Sequence, residues 1–195
     1  MKYTKIPETA FQNLQLNAGI LLKSFTPASA SVQADDILGA TSGGVNFTAT
    51  PSYSDFGEDI DNCPKNTKEL KRLDSWEVKM SGTFVTLSPA TVKLLAGAAD
   101  VDSADETKVT PRNDLSQSDF SDLWWVGDYS DKNGAENGGF AAIHMKNSLS
   151  TGGFQIQSGN KAKGQMAFEF TGHYAMSAQD AVPFEVYVKA GTAEA

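Results

Sequence analysis

Two histidines, one cysteine and a run of carboxylates are the residues of this chain with chemistry to offer, and their spacing assembles no familiar machine. His144 and His173 lie far apart, with no third ligand suggested, whereas zinc needs three or four convergent donors. Composition alone leaves a Ser–His–Asp triad open, but the nucleophile elbow Gly-x-Ser-x-Gly does not occur. Cys63 sits in a loop-like Asp-Asn-Cys-Pro context. As a nucleophile it would need a neighbouring base, so an ordinary free thiol in a reducing compartment is the plainer reading. A single cysteine also excludes an internal disulfide.

Asp100, Asp102, Asp105 and Glu106 have the look of a calcium loop but lack the glycine and terminal glutamate of an EF-hand. They read as a solvated acidic turn. Asp128, Asp131 and Asn133 are a weaker set still. Trp124 and Trp125 offer a sugar-stacking platform. Adjacent strand residues face opposite sides, so at most one is core, and the other is partly exposed or covered by a partner subunit. Gly43-Gly44 and Gly138-Gly139 lead into strands rather than helices, so no phosphate-binding loop is expected. Asn46-Phe47-Thr48 is a formal glycosylation sequon without meaning in a cytoplasmic strand. These residues call for no catalysis, no cofactor and no metal.

The elements that must position any site are mainly β. Val45–Tyr53, Leu73–Leu87 and Gly164–Met176 alternate polar and apolar residues with the period of a strand that has one buried face. In the second run Trp76, Val78, Met80 and Phe84 share one face and form the expected core. Ser75, Glu77, Lys79, Ser81 and Thr83 share the other. Further strands are expected over Ala18–Phe25, Leu123–Tyr129, Phe140–Lys146, Phe154–Gln157 and Val182–Lys189, with turns at Ser158-Gly159-Asn160 and from Asp131 to Gly134. Pro7–Gln15 reads as a short helix or an extended arm. Ser88 as N-cap, Pro89 at the first helical position and Gly97 as the stop predict one short helix. The sum is about eight strands and one helix: a single antiparallel β-sandwich or barrel with a flanking α-helix, an arm over 1–17, a long loop over 54–72 and a tail over 190–195.

The chain has 195 residues and a formal charge of −8. Between Asp100 and Glu136 stand 10 acidic and 3 basic residues, so the acidity belongs mainly to one segment, read as a solvated loop region. Such a chain is poorly equipped to grip nucleic acid, which needs clustered Lys and Arg. The apolar stretch Ala18–Leu22 is too short for a signal-peptide core, and no membrane span is expected. The 54–72 loop is unusually long for a compact domain. Tyr53, Phe56 and Ile60 stand there among Asp55, Glu58, Asp59 and Asp61, a composition that suits a contact surface.

Residues 6–22 (IPETAFQNLQLNAGILL), 35–47 (DDILGATSGGVNF), 73–83 (LDSWEVKMSGT) and 164–174 (GQMAFEFTGHY) together resemble the major tail, or tail tube, proteins of long-tailed bacteriophages and related prophages. The likeness covers nearly the whole chain and is one of pattern and order. It implies a β-sandwich with a side helix that assembles as a homo-oligomer: hexameric rings stacked into a hollow tube through which DNA passes without specific binding. It also implies tape measure, terminator and distal tail proteins as partners, and a place in the virion after assembly in the bacterial cytoplasm. In such tubes strands from every subunit make a continuous inner wall. The lumen-facing candidates are then Asn46, Thr48, Glu77, Lys79, Ser81 and Thr83. Tyr53, Asp55, Phe56, Asp59 and Ile60 become the subunit or ring interface. Such lumens are acidic, whereas the wall strands here carry Glu77 beside Lys79, and Glu169 opposite His173, which gives a polar, weakly negative bore. The competing readings are a carbohydrate- or surface-binding β-sandwich using Trp124 or Trp125, and a hydrolase, disfavoured because no nucleophile–base pair is visible.

Overall fold

A computed structural model describes residues 6, 7, 9–129 and 138–191. The turn expected from Asp131 to Gly134 lies outside these residues, as do most of the expected tail and the first five residues of the arm. The protein is mainly β, and every strand pairing is antiparallel. Among the described residues nine strands form: β1 (Gln15–Leu22), β2 (Thr41–Asp55), β3 (Lys71–Phe84), β4 (Ala99–Val101), β5 (Val109–Pro111), β6 (Ser121–Tyr129), β7 (Gly139–Ser150), β8 (Met166–Gly172) and β9 (Phe184–Lys189). Seven make one curled sheet in the order β1-β6-β7-β8-β3-β2, with β9 on the free side of β7.

The curl comes from β7. Its first half is flanked by β6 and β9, and its last residues, Ser148–Ser150, cross to β8. At the crossing Asn147 takes φ 47, a left-handed conformation that asparagine tolerates better than most residues. Its backbone N–H donates to Asp122 and its side-chain amide to the His173 carbonyl, so the kink is hydrogen-bonded on both sides.

Curling brings the two halves face to face over one core. Val78, Met80 and Phe84 of β3 and Met166, Phe168 and Phe170 of β8 meet Leu21, Leu123 and Met145 from β1, β6 and β7. Trp76 lies at the margin, partly buried, its ring 5.5 Å from that of Phe184. A second cluster of Leu22, Phe25, Trp124, Val126, Phe140 and Ala142 fills the opposite face of β1-β6-β7, under the chain that follows β1.

α1 (Pro89–Ala96) forms as its signals predict. The Ser88 hydroxyl accepts from the Thr91 N–H, Pro89 begins the helix, and Gly97 ends it at φ 77. Leu95 enters the main core, and Ser150 donates to the Leu95 carbonyl. The helix thus closes the end of the sheet where β3 finishes.

Several expected boundaries move. The irregular stretch expected over 54–72 is shorter, because Ser54, Asp55, Lys71 and Arg72 are paired in β2 and β3. There the hairpin runs beyond the curled sheet's core with water on both sides, so alternation no longer marks it. Residues 15–17 of the expected arm belong to β1, preceded by a 3-10 turn at Ala10–Asn13. β3 ends at Phe84, three residues before the expected Leu87. The strand expected to reach Met176 stops at Gly172, and the hairpin expected around Ser158 is reduced to one bridge, Gln157–Gln165. The acidic segment is not all loop. It contains the β4–β5 hairpin and a capped 3-10 turn at Gln117–Asp119.

Candidate functional site: a polar sheet face and a protruding hairpin

Register decides which side chains share a surface. In β2 and β3, Asn46 lies opposite Ser81, Thr48 opposite Lys79, Thr50 opposite Glu77 and Ser52 opposite Ser75. β8 continues the rows, with Lys79 opposite Thr171, Ser81 opposite Glu169 and Thr83 opposite Ala167. All six lumen-facing candidates, Asn46, Thr48, Glu77, Lys79, Ser81 and Thr83, therefore lie on one face, turned away from the core that Val78, Met80 and Phe84 fill on the other. Thr50, Ser52 and Thr171 extend that face, and so does Thr151, which shares hydrogen bonds with Thr171 and Glu169. The charges on it are Glu77, Lys79 and Glu169. Lys79 pairs with Glu77 at 2.6 Å, which together with nearby Glu169 raises its proton affinity. Glu169 is not opposite His173. His173 lies past the end of β8, its Nδ1 3.2 Å from the Asn147 carbonyl oxygen and its ring edge-on to Phe120.

β2 is the edge of this sheet, fifteen residues long, and its outer edge has no partner strand among the described residues. The β2–β3 hairpin then runs beyond the core of the curled sheet. Between Ser52 and Tyr53 the register shifts by one residue, Asp74 of β3, so Leu73 changes side and joins Tyr53 on the core-facing side. Beyond the core both stay about half exposed, with Lys71 Nζ 5.4 Å from the centre of the Tyr53 ring. Tyr53 is 54% exposed, and Phe56 and Ile60 at the tip are 60% and 51% exposed. Sequence reasoning missed Leu73, whose partnership with Tyr53 depends on that shift. Asp59 is exposed too. Asp55 differs from the rest of the group: its carboxylate accepts from the Gly57 and Asn66 N–H groups, which hold it below the usual carboxylate range and pin the loop.

The residues with latent chemistry are engaged elsewhere. Trp124 is buried and stacks on His144 at 4.0 Å. Trp125 is half-buried, and its indole N–H donates to the Ala18 carbonyl. His144 presents Nε2 to Asp122 at 2.9 Å and Nδ1 toward Glu185 at 3.7 Å, so carboxylates face both ring nitrogens. Asp102 and Asp105 accept turn N–H groups from Ala104 and Thr107. Arg112 donates to Asp119 at 2.5 Å. Asp100 stands 2.7 Å from Arg112 Nε, off the N–H direction, as a charge contact. Among the described residues no group of three or more His, Cys, Asp or Glu gathers to hold a metal. No helix among them is long and apolar enough to cross a membrane.

Glu185 ties β9 to β7. Lys146 and then Tyr187 hydrogen-bond its carboxylate and lower it to about 2, against the opposing effect of partial burial. A lowered carboxylate stabilises the fold above its ordinary range near 4.5, and the contribution disappears as pH falls through about 2. Glu185→Gln is therefore expected to lower stability at neutral pH by ~1 kcal/mol, solvent access keeping the effect small. Urea melts at a series of pH values should show that gap closing toward pH 2. A gap that stays constant would mean the ion pair contributes nothing.

No protein-family model matches the chain, and no curated protein matches it.

Proposed function

We propose that this chain is a non-catalytic structural subunit of a viral tail tube. Copies close into hexameric rings, and the rings stack into the conduit that delivers DNA. The observation that carries this reading is the polar, water-facing side of β2-β3-β8, bounded by a long unpaired edge strand. A bare edge of fifteen residues invites pairing with another chain, and continuing the sheet from copy to copy removes that liability. Rotational closure of such a head-to-side contact gives a ring. The face is dominated by Ser, Thr and Asn, and its one lysine is paired, so it lacks the clustered cations that hold phosphates. That composition suits a bore through which DNA slides. On this reading the partners are further copies of the chain and the tape measure, terminator and distal tail proteins. The location is the virion, after assembly in the bacterial cytoplasm.

A carbohydrate- or surface-binding module would need an open aromatic platform. Trp124 is stacked under its own chain and Trp125 is tied to Ala18, so this pair offers none.

Negative-stain electron microscopy of the concentrated protein is the direct test. Rings or hollow tubes of uniform width are the expected result. Dispersed monomers at every concentration and salt tested, even with a preformed tail tip added as initiator, would overturn the reading.

A further inference from the structure

We propose that the cleft beside α1 binds a single-chain amphiphile from solution, with the apolar chain seated in the cleft and a carboxylate head held by Lys23 and Lys93. The inference goes beyond the tube reading and does not depend on it. The cleft has a volume of about 460 Å³ and lies between α1, the chain before β2 and the start of β6. That volume falls in the range of small-molecule sites.

The lining selects the body of the ligand. Ile37, Leu38, Leu94 and Leu123 make it apolar. Leu123 is buried and Ile37 is 42% exposed, so apolar surface runs from the depth of the cleft to its mouth. The hydroxyls on the helix side are turned to the protein itself. Ser88 accepts from the Thr91 N–H, and the Thr91 hydroxyl lies within hydrogen-bond distance of Ser88 and of the Leu38 carbonyl. A sugar or a nucleotide would lose water from many polar groups without finding partners there, whereas a hydrocarbon chain needs none.

Charge selects the head group. Asp119 and Asp122 also line the cleft, and all four of their carboxylate oxygens are engaged. Asp119 accepts from Arg112 and from the Ser116 N–H, while Asp122 faces His144 and accepts from the Asn147 N–H. Lys23 and Lys93 are exposed and make no ion pair among the described residues. Lys93 stands on α1. Lys23 follows β1, where its backbone N–H donates to the Asp36 carbonyl and sets it beside Ile37. Two ammonium groups from two walls thus border one apolar cavity whose own acids are already held. A carboxylate at the mouth meets both cations, and the chain behind it meets the leucines.

Isothermal titration calorimetry of the full-length chain uses sodium decanoate, below its micelle concentration, as the probe, and NMR of labelled leucine methyls places it. The expected result is saturable binding of one decanoate per chain, with shifts at Leu38, Leu94 and Leu123. Octanoate, two methylenes shorter, should bind about tenfold more weakly. Decyltrimethylammonium, with the opposite charge on the same chain, should bind roughly tenfold more weakly or worse. Lys23→Glu with Lys93→Glu alters exposed side chains, so its melt should match the parent. Its decanoate affinity should fall roughly tenfold or more, and its preference for decanoate over decyltrimethylammonium should vanish. No saturable binding, or shifts confined to other leucines, would overturn the site. Equal affinity for the two head groups in the parent, or undiminished decanoate affinity in the double variant, would overturn the role of the lysines and with it the proposal. Micrographs of the same samples test the tube reading separately, and neither result decides the other.

Discussion

Phe170→Ala is expected to destabilise the monomer by about 3–5 kcal/mol, the cost of emptying a large aromatic site in a packed core. For a chain of this size that is a fall in Tm of about 10 °C. Phe170 is fully buried on β8, directly opposite Met80 of β3 and Ser150 of β7, with the Phe168 ring 5.4 Å away. β8 is held between both neighbours here, so the cavity has little freedom to collapse. Trp76→Ala should cost less despite the larger side chain, because Trp76 is only partly buried, packed at the margin of the core with its ring beside Phe184. Differential scanning calorimetry of both variants orders the two costs. A Phe170→Ala melt within about 2 °C of the parent would place Phe170 outside the core.

That ordering shows what the sequence makes legible. Alternation along β3 assigns Val78, Met80 and Phe84 to the buried face, because the period-2 pattern is a direct consequence of strand geometry. The same pattern places Trp76 on that face, but burial also depends on what stands opposite. Only tertiary packing reveals that Trp76 stands at the margin of the core, beside Phe184 of β9. The helix is legible to the residue at its start, since Ser88 and Pro89 act locally through a cap and a fixed φ. The crossing of β7 from one half of the sheet to the other is not legible. It rests on Asn147, whose left-handed conformation serves contacts with Asp122 of β6 and with His173 just past the end of β8.

The candidate surface divides in the same way. Strand parity alone groups Asn46, Thr48, Thr50 and Ser52 on one strand and Glu77, Lys79, Ser81 and Thr83 on the next, and register is what joins these rows of lumen-facing candidates and sets Thr171 beside them, with Thr151 hydrogen-bonded to it. The acidic segment misleads as a bland loop. Asp102 and Asp105 act as turn acceptors, and Asp119 is a buried partner of Arg112 that caps its own 3-10 turn. The cleft between α1, the chain before β2 and the start of β6 is invisible in sequence, since Lys23, Ile37, Lys93 and Leu123 come together only when the sheet curls.

The protruding hairpin gives the second large effect. Tyr53→Ala and Phe56→Ala are expected to leave monomer melting within about 2 °C of the parent, because both side chains are more than half exposed and substitutions at such positions stay within ~0.5 kcal/mol. Assembly should respond very differently. Burying a side chain of this size in a contact contributes about 1.5–3 kcal/mol, so its loss weakens each contact roughly tenfold to a hundredfold. Light scattering against protein concentration reads the shift in onset, and micrographs read the shortening or loss of tubes. Asp55→Ala separates contact from scaffolding. Its carboxylate receives the Gly57 and Asn66 N–H groups, so this change should disorder the tip and weaken assembly without removing any apolar contact. Hydrogen exchange across residues 56–70 should then rise in Asp55→Ala and stay at the parent level in Phe56→Ala. Tubes of normal length and onset from Tyr53→Ala and Phe56→Ala would remove the hairpin from the interface, leaving the polar sheet and its free edge as the remaining route by which one copy meets the next.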